Sequence, residues 1–180
     1  MNKEAILIET KQTFTAFASL CNRFDETKFF ERHGEKWSAA ENLQHLITST
    51  ATSTLAFSLP LFVVRIAGGT PNRPSRTYEE LVARYQQKLA EGGRATGRFI
   101  PKSIQKNITK QQMVESWEKT TEKYLKILAE KRNDAALDKY LVRHPLLGRI
   151  TLRELCYFTI YHTIHHQNII EARINSNTVL

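Results

Sequence analysis

Residues 161–170 read YHTIHHQNII. At about 100 degrees of turn per residue, a helix through this stretch projects His162 and His166 from one face, about one turn apart. The same face collects Leu155, Thr159, His162, His166, Ile169 and Arg173, at spacings of four, three, four, three and four. A stripe of that period reads as the seam of a helical bundle. Two imidazoles on a seam otherwise made of Leu, Ile and Thr must find partners for their ring nitrogens, because an unpaired buried polar group is costly. Two core histidines bonded to carbonyls or to each other meet that need. A shared cation meets it as well.

Outward from that helix the pattern stays helical. Ile6, Ile8, Phe14, Phe17 and Leu20 predict a first amphipathic helix over roughly residues 2–22. Four capping boxes predict later helix starts: Ser38 with Glu41, Thr77 with Glu80, Thr109 with Gln112, and Thr151 with Glu154. Pro60 and Gly68-Gly69 are expected to close the second element, Gly92-Gly93 the third, and Asn133-Asp134 the helix carrying Trp117, Tyr124 and Leu128. No run of alternating β-branched residues argues for a sheet. The expectation is all-α: a four-helix bundle with an additional shorter helix in the long connection after the second helix.

The second helix opens with WSAAENLQHL over residues 37–46. His45 projects with Ser38, Glu41, Asn42, Ser49 and Thr52, opposite Leu43, Leu46, Ile47 and Phe57. A solvated face normally carries Lys, Glu or Arg, whereas residues 42–64 carry no charge. Small uncharged side chains around a histidine fit the wall of a polar cavity inside the bundle, and an oligomer interface explains the missing charges equally well. With His162 and His166, a third histidine from a facing helix completes a tri-histidine site. Such a site leaves a coordination position open, as catalytic metals require.

Trp37-Ser38, Glu41, His45-Leu46, the pair His162 and His166, and the approach HPLLGRITLREL before the last helix together resemble the DinB/YfiT-like superfamily of four-helix-bundle proteins. The resemblance spans essentially the whole chain. It implies that His45, His162 and His166 bind a divalent metal, zinc or nickel, and that the chain is similar to thiol-dependent S-transferases and a mycothiol-dependent isomerase. Many such proteins follow the first His-Leu with an acidic residue. This chain has Ile47, Thr48 and Ser49 there, so a carboxylate supporting the ligands is expected from elsewhere.

Composition sets the frame. The chain has 180 residues, 41% of them hydrophobic, and no Pro/Gly/Ser-rich linker, which predicts one domain over residues 1–180. Two cysteines, Cys21 and Cys156, are too few for a disulfide framework and point to a reducing compartment; with no signal-like apolar region at the N-terminus, the expected location is the cytoplasm. Seven Ser or Thr, a His and a Pro within residues 42–64 argue against a membrane span and so against a membrane partner.

The charge is uneven. Residues 65–110 hold ten Lys or Arg against three acids and account for nearly all of the net +8. Arg73, Arg76, Arg84, Lys88, Arg94, Arg98, Lys102, Lys106 and Lys110 belong to this segment, which reads either as a solvated surface or as a guide for an anionic substrate, with Arg73 and Arg76 as its binding residues. Few aromatics and no reading motif argue against nucleic acid.

The expected chemistry is that of a divalent-metal-dependent enzyme, S-transferase-like or hydrolase-like, acting on a small electrophile with a low-molecular-weight thiol. His45, His162 and His166 hold the metal, Asn42, Ser49, Thr52 and Thr159 line the substrate pocket, and His165, about 60 degrees from His162 and 100 from His166, moves protons. The competing expectation is a non-catalytic helical module for ligand binding or dimerisation. A homodimer is expected in either case. His33 and His144 fall in loops, and Cys156 reads as a small core side chain.

Overall fold

In the computed structural model, which describes residues 1–32, 34–102, 104 and 107–176, four long helices pack as a bundle. They are α1 (Lys3–Asn22), α3 (Ala39–Ser58), α6 (Lys110–Lys131) and α8 (Leu152–Ser176); α2 (Glu26–Phe30), α4 (Leu61–Gly68), α5 (Tyr78–Ala90), a 3-10 turn at Gly97–Phe99 and α7 (Asp134–Lys139) fill the connections. The expected shorter helix after the second long helix is α5. All four capping boxes form. Ser38, Thr77 and Thr109 each accept from the backbone amide three residues on, and Glu41, Glu80 and Gln112 return the bond. Thr151 and Glu154 exchange the same pair at 3.1 and 2.9 Å.

Each of α1 and α3 packs against both α6 and α8, so the first two long helices stand diagonally across the bundle. Between α1 and α6 the core is aromatic. Phe14 meets Trp117 edge-on at 5.0 Å and Tyr124 at 5.6 Å, and Phe17 meets Trp117 at 5.4 Å. The Trp117 indole N–H donates to the Phe14 carbonyl. Ile8, expected on the inner face of α1, is half exposed instead.

Two expectations change. Pro60 does not merely end the second helix: it starts α4, which departs from α3 at 113°. The chain also forms a small sheet, an antiparallel hairpin of β1 (Leu141–His144) and β2 (Gly148–Thr151) paired from Leu141↔Thr151 to His144↔Gly148. Four-residue strands are too short to show an alternation. The hairpin is set by its turn, in which Gly148 takes φ 75° and the His144 ring nitrogen Nδ1 accepts from the amides of Leu146 and Leu147.

The last helix is not a one-sided seam. Every residue from Leu152 to Ile160 is buried, because α1, α3, α5, α7 and both strands surround this half of α8. Two charges inside it are matched. Glu154 is bound by Arg73 and Arg76, and Arg153 by Asp138 and Asp134. Among the described residues no single helix is long and apolar enough to cross a membrane. His33 and Lys106 lie outside the described residues, as does the side chain of Arg173.

Candidate metal centre

The uncharged face of α3 is buried against α8. Asn42, His45, Ser49 and Ser53 from α3 meet Thr159, His162 and His166 from α8, all of them buried. Packing against α8 accounts for the missing charges on that face of α3; Leu55 and Phe62, in the same charge-free stretch, stay exposed.

His45, His162 and His166 converge. The Nε2 atom of His162 lies 3.0 Å from that of His45 and 3.1 Å from that of His166, and the three rings are 5–6% exposed. Their ligand atoms all fall within 4.8 Å of one another. A tetrahedral zinc with bonds of about 2.0–2.1 Å separates its nitrogens by roughly 3.4 Å, so the two close pairs need part by only a few tenths of an ångström to match it.

The outer nitrogens decide whether this cluster suits a cation. His45 Nδ1 donates to the Phe99 carbonyl at 2.6 Å, which fixes the Nε2 lone pair inward. His166 Nδ1 lies 2.7 Å from Asn42 Oδ1. The Asn42 amide cannot turn over, because its nitrogen donates to the carbonyls of Ser38 at 2.8 Å and Trp37 at 3.2 Å. His166 must therefore also carry its proton on Nδ1. His162 Nδ1 meets the Ser49 hydroxyl at 3.3 Å. The Nε2 lone pairs of His45 and His166 thus face inward; His162, whose Nδ1 can accept from the Ser49 hydroxyl or donate to it, either donates from Nε2 to these lone pairs or turns a third lone pair to a cation, so the donor set fits a metal ion.

Burial first, then the neighbouring His166 and His45, holds the pKa of His162 well below the ordinary histidine value. Burial also lowers His45, against the opposing pull of the Phe99 carbonyl. Both rings are thus neutral near pH 7, the form that binds metal.

The other expected site residues divide. Asn42 and Ser49 are committed to ligand histidines rather than to open space. Thr52 and Thr159 donate their hydroxyls one turn back along their own helices, to Thr48 and Leu155. His165 is half-buried, its ring 5.2 Å from that of His166 and 6.1 Å from that of Tyr85, and burial lowers its pKa. Cys156 is fully buried, and burial pushes its thiol up to about 12, as suits a core side chain.

Arg73 and Arg76 are placed elsewhere. Arg73 grips the buried Glu154 carboxylate at 2.6 and 2.9 Å, and Arg76 adds its backbone amide at 2.8 Å and its guanidinium at 3.2 Å. Glu154 precedes His162 by eight residues, about 12 Å of helix rise. These two arginines pin the connection to α8 and do not face the histidines. Lys88 pairs with Glu91, and Lys110 binds the carbonyls of Asn22 and Phe24 at the C-terminal end of α1. Much of the basic segment is therefore structural.

The sequence reading missed three contributors. The Phe99 carbonyl is a main-chain atom on a distant connection, and no side-chain pattern announces it. Gly97, at φ 56°, allows the turn that delivers it. Phe158 stacks on His162 with centroids 4.7 Å apart, and Trp37 lies parallel to His166 at 6.4 Å. Trp37 stood in the quoted motif, so its ring was visible there without a role.

The family model described as the DinB superfamily matches residues 9–170. No curated protein and no solved structure matches the chain.

Proposed function

This chain belongs to the DinB superfamily, and from that premise we propose that it is a divalent-metal-dependent enzyme that activates a small thiol or water for attack on an electrophile, with S-transferase-like chemistry ahead of hydrolase-like chemistry. The observation carrying this reading is the convergence of three buried imidazoles through Nε2, with His45 and His166 each engaged at Nδ1. Zinc or nickel suits three imidazole ligands. When bound, the cation supplies Lewis acidity at its open position and lowers the pKa of the donor that occupies it. His45, His162 and His166 hold it; Asn42 and the Phe99 carbonyl keep two of those rings in the binding tautomer. His165, beside His166 and Tyr85, is the candidate for proton transfer.

Elemental analysis of protein purified without a polyhistidine tag tests the site: about one zinc or nickel per chain is expected. The metal-loaded protein is then offered a panel of low-molecular-weight thiols with alkylating and acylating electrophiles. Stoichiometric metal without reaction for any pair would assign the chain to the non-catalytic ligand-binding modules. Absence of metal would remove the enzyme reading altogether.

A further inference from the structure

The short helix α4 turns its apolar side outward. Phe62 is 67% exposed and Ile66 83%; four residues apart, they share one face, with Arg65 and Ala67 exposed beside them. Val64 and Gly68 are buried on the inner side. The backbone holds this orientation. The Gly69 carbonyl accepts from the Leu141 amide at 3.2 Å, and a Cβ on Gly68 would lie 1.6 Å from the Leu141 carbonyl oxygen. α4 is therefore docked main chain to main chain on β1, and its apolar face cannot roll inward without breaking that contact.

The two segments that meet there are basic. Residues 42–78 hold Arg65, Arg73 and Arg76, residues 139–153 hold Lys139, Arg143, Arg149 and Arg153, and neither contains Asp or Glu. Arg73 and Arg76 are taken up by Glu154, and Arg153 by Asp134 and Asp138. Arg65, Lys139, Arg143 and Arg149 are exposed and form no ion pair among the described residues. Arg143 stands directly opposite Arg149 in the hairpin, a like-charge pair that costs stability unless an anion joins it. It lies two residues beyond Leu141, about 7 Å along the strand.

We propose that this face docks on the surface of an anionic lipid bilayer, with Phe62 and Ile66 entering the boundary between headgroups and acyl chains and the four cations meeting lipid phosphates. Contact with one leaflet needs no spanning helix. Apolar side chains that protrude from a convex element, rather than line a groove, suit fluid acyl chains that conform to them. A second copy suits the face less well, because a two-fold contact through it would set cations against cations.

Co-sedimentation of the full chain with phosphatidylcholine vesicles, with and without phosphatidylglycerol, tests it. The native chain is expected to partition onto the anionic vesicles and little onto the zwitterionic ones. Phe62→Ser combined with Ile66→Ser should lower that partitioning by about tenfold or more. Arg143→Gln combined with Arg149→Gln should lower it by about 10–30-fold at low salt, the loss shrinking as salt rises. Both pairs change exposed side chains, and circular dichroism confirms that the helices persist. Lys119→Gln combined with Lys123→Gln, exposed on α6, removes the same charge elsewhere and should cost less than about threefold. Equal losses from the lysine and arginine pairs would mark diffuse attraction of a basic chain and overturn the docking face, as would full binding without Phe62 and Ile66. Absence of binding to anionic vesicles overturns the proposal. A dimer in light scattering that the Phe62 and Ile66 substitutions dissolve would assign the face to a second copy instead.

Discussion

The interface between α1 and α6 and the interface between α3 and α8 are built on opposite principles. The first is filled by Phe14, Phe17, Trp117 and Tyr124 in edge-to-face contact, with the one indole N–H satisfied by a carbonyl. The second buries three Ser or Thr, an Asn and three His where a bundle ordinarily places Leu and Ile. Apolar burial stabilises at about 25 cal/mol per Å², whereas the polar seam gains little net energy from its hydrogen bonds. Aromatic packing is thereby concentrated on one side of the bundle and the histidine cluster on the other. A site of this kind exists because the aromatic side holds the helices in place without it.

Trp117→Ala is the strongest test of that division. Loss of the ring should destabilise the protein by about 3–5 kcal/mol, read by urea denaturation, while the fraction that remains folded keeps its metal stoichiometry. Loss of metal in step with stability would erase the contrast between the two interfaces.

Acid should act on the polar side first. His45 and His162 have lowered pKa values, and burial holds His144, packed 4.2 Å from Phe158, at about 4. A histidine whose folded pKa lies below its unfolded value of about 6.5 contributes stability that is full above pH 6.5. That contribution is lost as pH falls toward the folded pKa. For His144 alone the loss reaches about 3 kcal/mol by pH 4. Glu154 behaves differently. Burial raises its pKa, but hydrogen bonds from Arg73, Arg76 and Thr151 outweigh this and hold it below the usual carboxylate range. Its contribution is therefore retained until pH falls below about 4.5. Urea midpoints of the metal-free protein between pH 8 and 4 should fall from about pH 6.5 downward; a flat profile to pH 5 would contradict buried neutral histidines.

What the sequence disclosed follows from the range of each interaction. Capping boxes are local, three residues apart, so all four helix starts were legible. The histidine triad was legible because two members share a helix face and the third stands in a charge-free stretch of a second helix. Hidden were the features set by tertiary contact. The hairpin after Tyr140 depends on a His144 side-chain bond and a glycine turn. The all-round burial of Leu152–Ile160 depends on how many elements gather about α8. Arg73 and Arg76 looked available because their partner, Glu154, lies about eighty residues away and was already explained as a capping residue. The Phe99 carbonyl has no sequence signature at all.

His162→Ala separates site from scaffold. Its Nε2 is the atom shared by both close contacts, so metal binding should disappear. The metal-free protein should remain helical and lose only about 1–2 kcal/mol, within the range of ordinary substitutions, because the aromatic contacts between α1 and α6 hold the bundle without this ring. Circular dichroism with elemental analysis reads both. Unfolding on loss of the ring, or on chelation of the native protein, would instead mark the cation as a structural element.

The smallest effects should distinguish two hydroxyls one turn apart on α3. Ser49 meets His162 Nδ1 at 3.3 Å, long for a hydrogen bond, whereas Thr52 donates at 2.8 Å to the Thr48 carbonyl and touches no ligand by hydrogen bond. Ser49→Ala should weaken metal binding by less than the tenfold or more typical of strong outer partners, about two- to fivefold, and leave stability nearly unchanged. Thr52→Ala should alter neither metal affinity nor stability by more than about 0.5 kcal/mol. Competition with a chromophoric chelator resolves differences of that size. Equal effects at the two positions would mean that the polar seam acts on the histidines through its general polarity, and that the hydrogen bond to His162 carries no separate weight.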